Sequence, residues 1–354
     1  MKRISNVFWK VVDMDTFRKA AKACCAHRKD KREVAEFKKD AEAKLQALRQ
    51  SVLDGTFVSS EYIFRQKQER GKTRLIADIA LYPDRILHTA VCIAAEDELN
   101  RKLISQTYSG RRGMGQHLAV SKMAGYLRED PKIKYALLID VHQFYASIDK
   151  DILKEKLRRS FKDERFLQLI FQLIDDYPRG GIPLGSRFST MLANLYLSEM
   201  DHVLSEKYHV HYKARFADDY AILGYSKPWL RRILGVIQEE LAKVKLELNS
   251  NWQIFPVDAR GLRFLGYVIY SDHVLLKKET KKRMQRAAGH ISERLEHEDY
   301  IMDRHDTGTI HSYEGCLKWC DGKHLQHQTF DAIYERNRNN LERKEEQRKK
   351  VIIT

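Results

Sequence analysis

The sequence predicts an α+β fold, and three observations support that prediction. First, "YALLI" at 135–139 is a continuous apolar run of strand length, which is typical of a strand buried on both faces. Second, apolar half-strands flank a polar turn in "ARFADDYAIL" at 214–223, which indicates a β-hairpin. Third, several long segments carry apolar residues at helical spacing, among them "KPWLRRILGVIQEELAKVKLEL" at 227–248.

The other predicted elements follow from the same two periodicities and from turn residues. Basic "FRQKQERGKTRLIADI" at 64–79 predicts a hairpin that turns at "ERGK", and "RFLGYVIY" with "HVLLKK" at 263–278 predicts a second, shorter hairpin. Residues 180–206 predict a Gly/Pro loop that opens into a helix. Further helices are predicted over 30–52, where "DGTF" ends the helix, over 83–100, over 150–174, and from about residue 278 to the end.

Composition and charge favour a folded protein with a polyanionic partner. The chain has 354 residues, of which 43% are hydrophobic, so it can bury a sizeable core. Its formal net charge of +15 favours nucleic acid or an anionic membrane surface, with a merely basic surface as the alternative. The sequence has neither a lipidation signal nor an apolar run near the roughly 20 residues that span a bilayer. We therefore expect nucleic acid rather than membrane as the partner, and a cytoplasmic location.

Three aspartates are the candidate reactive groups. Asp218 and Asp219 are adjacent and flanked by apolar or aromatic residues, and Asp140 ends the buried strand. Burying neighbouring carboxylates is costly unless a positive group binds them. A strand end beside a hairpin tip can gather such carboxylates around hard divalent cations, and two Mg²⁺ ions about 3.5–4 Å apart suit phosphoryl transfer. The pattern therefore predicts magnesium that carries a nucleotide. An exposed turn is the alternative, and the other pair, Asp175-Asp176, is predicted to be a helix end.

In their order along the chain, the segments resemble a bacterial reverse transcriptase of the group II intron, retron, diversity-generating retroelement or defence-associated type. The resemblance covers roughly residues 35–320, and it lies in six motifs that occur in the family's order. They are "KTRLIADIALYPDRILHTAV", "QTYSGRRGMGQHLAV", "LLIDVHQFYASID", "GIPLGSRFSTMLANLYLSEMD", "RFADDYAIL" and "LRFLGYVIY".

The resemblance implies a right-hand polymerase fold, with fingers, a palm of antiparallel sheet plus helices, and a helical thumb. It implies RNA-directed DNA polymerase activity. The expected divisions are a basic helical N-terminal region at 1–60, fingers at 61–134, a palm at 135–276 that includes part of the fingers and ends in the primer grip, and a helical thumb with a tail at 277–354.

Catalytic and metal-binding roles carry over to four positions. Asp140 and Asp218 match the metal ligands of the family, and Asp219 matches its third acidic residue. The backbone of Val141 matches a ligand of the second metal. The implied cofactor is a pair of Mg²⁺ ions, for which Mn²⁺ can substitute.

Five positions match residues that bind the incoming dNTP. Lys72 and Arg74 match the fingers cations that grip the triphosphate. Tyr145 matches the aromatic steric gate that excludes a 2′-hydroxyl, and a core tyrosine is the alternative interpretation. Gly185 permits close approach of the backbone to the base pair. Leu184 stands where retroviral enzymes carry Gln, and the resemblance implies that an aliphatic residue there lowers the fidelity of copying.

The template and primer contacts implied by the resemblance come from two motifs. Arg187 and Ser189 are expected to line the template side, and Leu265, Gly266 and Tyr267 are expected to hold the primer end.

Phe216 and Trp252 also depart from the family pattern. Phe216 replaces the usual Tyr of Tyr-x-Asp-Asp, which keeps the ring and loses a hydroxyl. Trp252 stands where a Lys near the pyrophosphate is expected, so the sequence names no general acid.

The implied biology is the copying of a dedicated non-coding or template RNA into cDNA, in an anti-phage defence system or a diversity-generating retroelement. The expected partners are that RNA, a DNA or RNA primer, dNTPs and an accessory protein. One alternative is RNA-templated RNA synthesis, against which Tyr145 argues. The other is a maturase-like RNA-binding protein with an idle polymerase site, against which the intact aspartates argue.

Overall fold

A computed structural model describes residues 3–26, 32–69, 72–297 and 299–353; the side chains of Glu69, Lys72, Arg74 and 348–353 lie outside that description. Helices α1–α15 are, in chain order, Val7–Val11, Met14–Cys25, Arg32–Lys38, Ala41–Asp54, Ile86–Asn100, Gln116–Glu129, Phe144–Ser147, Lys150–Ser160, Glu164–Asp175, Arg187–His202, Lys227–Lys243, Val257–Arg260, Lys278–Leu295, Arg304–Leu317 and Lys323–Ile353. Strands β1–β9 are Ile63–Glu69, Lys72–Asp78, Tyr135–Asp140, Lys213–Phe216, Asp219–Gly224, Gln253–Pro256, Leu262–Phe264, Tyr267–Ile269 and Val274–Leu276. This mixture of helices and separate sheets confirms the α+β class.

One compact unit comprises the chain up to Gly115 together with Leu137–Tyr220 and Pro228–Gln253. Its central helix is α5, which is buried on nearly every side and packs against α1, α2 and α10. A helix that is apolar all round belongs in a core rather than on a surface. The predicted helix over 83–100 is therefore confirmed, and its unbroken apolar character explains its central place.

A four-stranded sheet in the order β4-β5-β3-β6 carries two of the predicted reactive segments. Strand β3 buries Ala136, Leu137 and Ile139, and it ends at Asp140. Strands β4 and β5 are neighbours joined only by Ala217 and Asp218, so they form the predicted hairpin. The buried strand and the hairpin with its aspartates at the tip are both confirmed.

A second compact unit comprises Gln116–Ala136, Ala221–Lys227 and the chain from Ile254 onward. Its strands β7, β8 and β9 form an antiparallel meander, whereas the sequence predicted a single hairpin over 263–278. The extra turn arises because Leu265 and Gly266 both have positive φ angles, 46° and 89°, which allow a two-residue connection inside "RFLGYVIY".

The helices α13, α14 and α15 share a hydrophobic core in the second unit. Its buried members come from all three helices and include Met284, Ile291, Ile310, Leu317 and Phe330. This arrangement confirms the predicted helical C-terminal segment. None of the helices in the described ranges is both long and apolar enough to cross a bilayer.

Two helices predicted as continuous are each divided in the structure. The predicted helix over 30–52, of which residues 30 and 31 lie outside the described ranges, corresponds to α3 and α4, because the backbone leaves the helical region at Asp40, with φ −142° and ψ 38°. Residues 150–174 hold α8 and α9, because Phe161 is extended and Asp163 caps the second helix through the amide of Phe166. Apolar periodicity runs across both breaks, so it does not reveal them.

The basic hairpin predicted over 64–79 is confirmed as β1 and β2, paired from Ile63 with Asp78 to Glu69 with Lys72. Its tip at Arg70 and Gly71 falls outside the described residues.

A buried histidine in α5 gives the fold a testable response to acid. His88 is 4% exposed and lies 4.6 Å from the ring of Phe188, and its Nδ1 has no hydrogen-bond partner within the described part of the chain. Burial lowers the pKa of His88 to about 4, from the 6.5 of an exposed imidazole. The unfolded state therefore binds more protons between these values, so acidification from pH 6.5 to pH 4 destabilises the native state.

We expect His88→Leu to weaken this acid sensitivity. The loss of unfolding free energy between pH 7 and pH 4 should shrink by about 3 kcal/mol relative to wild type. Urea unfolding followed by circular dichroism at both pH values measures it. His290→Leu, at an exposed position of α13, is the matched control and should keep the wild-type dependence. If the unfolding free energy of His88→Leu falls as much as that of wild type on acidification, His88 does not cause the acid sensitivity.

Candidate functional site

Two of the predicted reactive groups meet in the structure. Asp140 is the last residue of β3, and Asp218 is the second residue of the turn between β4 and β5. Their side chains lie within hydrogen-bonding reach of each other. Asp219 begins β5, is exposed, and stands close enough for its charge to act on Asp218. The fold therefore gathers these three carboxyl groups from two distant segments.

Negative charge from its neighbours acts on Asp218 in this cluster. Burial, the negative charges of Asp219 and Asp140, and the hydrogen bond with Asp140 raise the pKa of Asp218 to about 7. No lysine or arginine among the described side chains forms an ion pair with Asp140 or Asp218. A set of carboxylate oxygens without a cationic partner fits hard divalent ions such as Mg²⁺, which take oxygen ligands. The residues present therefore suit the implied metal pair.

The turn that carries Asp218 is held in a backbone conformation that L-residues rarely adopt. Ala217 has a φ of 57°, in the left-handed region that favours glycine. A non-glycine residue persists there only when the surrounding contacts fix it, and such strain is commonly found at functional sites. The source of that constraint lies directly beneath the turn.

Arg215 and Asp201 form a fully buried ion pair under the hairpin. Arg215 in β4 is 1% exposed and Asp201 in α10 is 0% exposed; Nε of the guanidinium donates to Asp201 Oδ2 at 2.8 Å, and Nη2 lies 2.7 Å from the same oxygen. Burial is the largest single effect on the pKa of Arg215 and lowers it, but the charges of Asp201 and Tyr220 and the hydrogen bond with Asp201 together outweigh burial and raise that pKa. The guanidinium is therefore charged in the folded protein.

The same ion pair reaches both strands of the hairpin. Tyr220 in β5 donates its hydroxyl to the other oxygen of Asp201 at 3.0 Å. Arg215 also donates to Asn194 Oδ1 at 2.9 Å and to the carbonyl oxygen of Ala217 at 3.2 Å. Residues on both sides of the turn are thus tied to one carboxylate. The sequence analysis did not identify Arg215 or Asp201 as important. The signal that could have indicated Asp201 is a charged residue within the largely apolar helix "MLANLYLSEMD".

Tyr145 lies in α7, immediately after the strand that ends at Asp140. Its ring is half-buried, and its hydroxyl lies 3.5 Å from Thr190 Oγ1. The amide of Ile182 donates to the carbonyl oxygen of Tyr145 at 2.9 Å. A Cβ added at Gly181 would overlap the carbonyl oxygens of Tyr145 and Ala146, so only glycine permits this close approach. The Gly/Pro loop therefore fixes the backbone that carries the predicted gate.

The other predicted nucleotide contacts are only partly described. Leu184 is half-buried, and Gly185 is exposed with its backbone near Ile76. The backbones of Lys72 and Arg74 lie in β2, but their side chains lie outside the described residues. The nucleotide roles of these residues stay predictions.

Of the two predicted template contacts, one is contradicted by burial. Arg187 is exposed and donates to Glu96 Oε2 at 2.5 Å. Ser189 is 0% exposed, and its hydroxyl lies 2.7 Å from Ser186 Oγ, inside the cap of α10. Its side chain cannot line a template surface, so that prediction is wrong.

Burial also corrects one predicted primer contact in the second unit. Tyr267 is 2% exposed; its hydroxyl donates to the carbonyl oxygen of Cys316 at 3.0 Å and lies 3.0 Å from His117 Nδ1. The Tyr267 side chain is therefore a core group and not a primer contact. Leu265 and Gly266 form the turn before it, and their role stays a prediction.

A second acidic group does not qualify as a metal site. Asp303, His305 and Asp306 have potential ligand atoms within 4.8 Å of one another. However, Asp303 caps α14, and Asp306 is already bound by Arg294 and Tyr300. The arginine supplies the positive charge that a cation would bring, so these side chains are structural.

Asn249 is a further residue that sequence analysis did not single out. Its side-chain amide donates to Asp140 Oδ2 at 2.6 Å, so it touches the candidate metal centre directly. In the same segment, the family pattern singled out Trp252 instead, and that side chain is 39% exposed.

The sequence of this chain matches a known protein family. Residues 66–269 match the family model described as reverse transcriptase (RNA-dependent DNA polymerase). The group II intron-encoded protein LtrA of Lactococcus lactis subsp. cremoris is 24% identical over 260 residues, covering 68% of this chain and 43% of LtrA. Protein YkfC of Escherichia coli (strain K12) is 25% identical over 177 residues, covering 46% of each chain. This chain thus spans about half the length of the curated relatives it matches.

Among solved structures, apo telomerase from Candida tropicalis matches with a TM-score of 0.49 and 13% identity, covering 65% of this chain and 50% of that chain.

Removing one partner of the buried ion pair should be strongly destabilising. Arg215→Met leaves the Asp201 charge buried without compensation, so we expect a loss of about 3–5 kcal/mol of unfolding free energy. Adding Asp201→Asn removes that charge and keeps an acceptor for Tyr220, so the double variant should be more stable than Arg215→Met alone. Urea unfolding measures both.

Arg159→Met, which breaks an exposed ion pair with Glu155, is the matched control and should leave the unfolding midpoint nearly unchanged. A double variant no more stable than Arg215→Met would show that the buried charge is not what destabilises the single variant.

Proposed function

The chain belongs to the reverse transcriptase (RNA-dependent DNA polymerase) family, and from that premise we propose that it copies RNA into DNA by nucleotidyl transfer. The observation that carries the proposal is the contact between the Asp140 and Asp218 carboxyl groups, neither of which forms an ion pair with a described lysine or arginine side chain. Carboxylates gathered in this way suit a reaction in which the substrate arrives with metal ions.

In the proposed reaction, Asp140, Asp218, Asp219 and the carbonyl oxygen of Val141 would hold two Mg²⁺ ions, or Mn²⁺ in their place. When bound, such ions stabilise the attacking and the leaving oxygens in phosphoryl transfer. The protein itself would hold those oxygen ligands in place, at the end of β3 and in the turn between β4 and β5.

Substrate selection is assigned to residues around Tyr145. Its half-buried ring, backed by Thr190 and by the Gly181 loop, is proposed to pack against the sugar of the incoming nucleotide and to exclude a 2′-hydroxyl. Leu184 and Gly185 follow in the same loop and would face the nascent base pair. Lys72 and Arg74 are proposed to grip the triphosphate, where cations offset the charge that develops on the leaving group.

The proposed partners follow from the charge of the chain and from its family. A net charge of +15 favours a polyanion, and the proposal assigns to it an RNA template together with a DNA or RNA primer. Arg187 would contact the template, and the turn at Leu265 and Gly266 would contact the primer. Fingers, palm and thumb are proposed over 61–134, 135–276 and 277–354, after an RNA-holding basic region at 1–60.

The proposal extends to a dedicated template RNA and an accessory protein, in either anti-phage defence or a diversity-generating retroelement. The neighbouring genes distinguish these settings, because a repeat-linked variable gene indicates diversification and a phage-defence cluster indicates defence.

Primer extension on an RNA template tests the activity. Wild-type protein with Mg²⁺ should incorporate dNTPs, and Asp218→Ala with Asp219→Ala should abolish synthesis while RNA binding, measured by fluorescence anisotropy, stays within about twofold because no phosphate contact is lost. Asp175→Ala with Asp176→Ala, at the end of α9, removes the other aspartate pair and should leave extension intact.

Two outcomes would contradict the proposed activity. Incorporation of NTPs only would indicate an RNA polymerase. RNA binding without any incorporation would indicate a binding protein with an idle site.

Discrimination between sugars tests Tyr145. Tyr145→Ala removes the ring that would meet a 2′-hydroxyl, so the ratio of ribonucleotide to deoxyribonucleotide incorporation should rise about 10–100-fold. Tyr145→Phe keeps the ring and loses the hydroxyl that lies 3.5 Å from Thr190 Oγ1, so it should discriminate nearly as wild type does. Single-nucleotide extension with each substrate measures the ratio, and an unchanged ratio in Tyr145→Ala would show that another group is the gate.

A further inference from the structure

The segment that contains Asn249 runs alongside the end of β3 and is fixed there by its backbone. Val141 and Leu248 form an antiparallel bridge. The amide of His142 donates to the carbonyl oxygen of Glu247 at 2.8 Å, and the amide of Asn249 donates to the carbonyl oxygen of Asp140 at 2.8 Å. These bonds hold the segment in register without help from the Asn249 side chain.

The side chain of Asn249 makes a separate set of contacts. Its Nδ2 donates to Asp140 Oδ2 at 2.6 Å and reaches the carbonyl oxygen of Val141 at 3.4 Å. Its Oδ1 lies 2.9 Å from His142 Nδ1. A carboxylate only accepts hydrogen bonds, so the NH₂ group must face Asp140 and the amide oxygen must face His142.

The two acceptors of this amide, one at the last residue of β3 and one at the residue after it, are the groups that the proposed function assigns to metal binding. An amide holds a carboxylate oxygen without cancelling its charge, whereas a lysine or arginine at the same place would compete with a cation. Because Asn249 binds Oδ2, the orientation of the Asp140 carboxylate is restricted, and so is the direction in which its Oδ1 points.

We propose that Asn249 is a positioning residue for the metal centre, acting through Asp140 and Val141. This inference rests on the proposed function, because it assumes that Asp140 is a metal ligand. Groups that orient metal ligands in this way commonly contribute 10–100-fold to metal affinity or activity. The backbone bonds of Asn249 already maintain the strand, so the proposed role belongs to the side chain alone.

Metal binding by the full-length protein tests the proposal without requiring polymerisation. Mn²⁺ is the probe, titrated into the protein without nucleic acid and followed by the electron paramagnetic resonance signal of the free ion. Asn249→Ala and the similarly sized Asn249→Leu both remove the donor, and both should bind Mn²⁺ about 10–100-fold more weakly. Asn251→Ala, an exposed asparagine two residues further on, is the matched control and should bind as wild type does.

Two further measurements separate positioning from a structural role. The thermal unfolding midpoints of both Asn249 variants should match that of Asn251→Ala. In primer extension, the Mg²⁺ concentration for half-maximal rate should rise by a factor similar to the loss of Mn²⁺ affinity, while KM for the primer–template stays the same.

Wild-type affinity for Mn²⁺ in both Asn249 variants, or no Mn²⁺ binding by the wild-type protein, would overturn the inference. Failure of the proposed function looks different. A wild-type protein that binds Mn²⁺ in a manner sensitive to Asn249 but incorporates no nucleotide would refute the polymerase and keep the positioning role.

Discussion

The buried ion pair between Arg215 and Asp201 is the constraint on which the candidate site depends. A two-stranded hairpin is marginally stable alone, and this one carries adjacent aspartates and a strained alanine at its turn. Asp201 accepts from Arg215 on one strand and from Tyr220 on the other. A one-residue slip of either strand would turn these side chains to the opposite face and leave charge buried without a partner. The hairpin therefore has one acceptable register, and that register presents Asp218 to Asp140.

The two charged clusters of this region have opposite character. Below the turn, Arg215 and Asp201 compensate each other, and Thr107 and Asn194 supply further hydrogen bonds. At the turn, Asp218 gains no relief from Arg215, although only two residues separate them; its pKa is raised by burial and by Asp219 and Asp140. Because the guanidinium is paired with Asp201, it stabilises the hairpin without neutralising Asp218. The repulsion that remains is what a bound divalent ion would remove.

Local patterns in the sequence predicted the parts of this site that are local. Strand β3, the hairpin and the aspartates at their ends are visible as an apolar run, an alternation and a polar turn. Asn249 and Asp201 could not be predicted in this way, because their roles depend on contacts with residues distant in sequence, such as the contact of Asn249 with Asp140. Ser189 and Tyr267 fail for a related reason: a motif places a residue near a site but does not say which way its side chain points. The breaks at Asp40 and Asp163 were missed because apolar periodicity continues through a helix cap.

Contacts around Tyr145 show why motifs from distant parts of the chain depend on one another. The tyrosine hydroxyl meets Thr190, and a Cβ added at Gly110 would overlap the methyl group of that same threonine. From another side, Gly181 approaches the carbonyl oxygen of Tyr145 so closely that no side chain fits between them. Residues from three separate segments thus pack around Tyr145, and at two of them, Gly110 and Gly181, a single added methyl group would overlap a neighbour. Discrimination between sugars, if it resides in Tyr145, is therefore a property of the packed assembly rather than of the tyrosine alone, since close-packed interiors transmit small displacements.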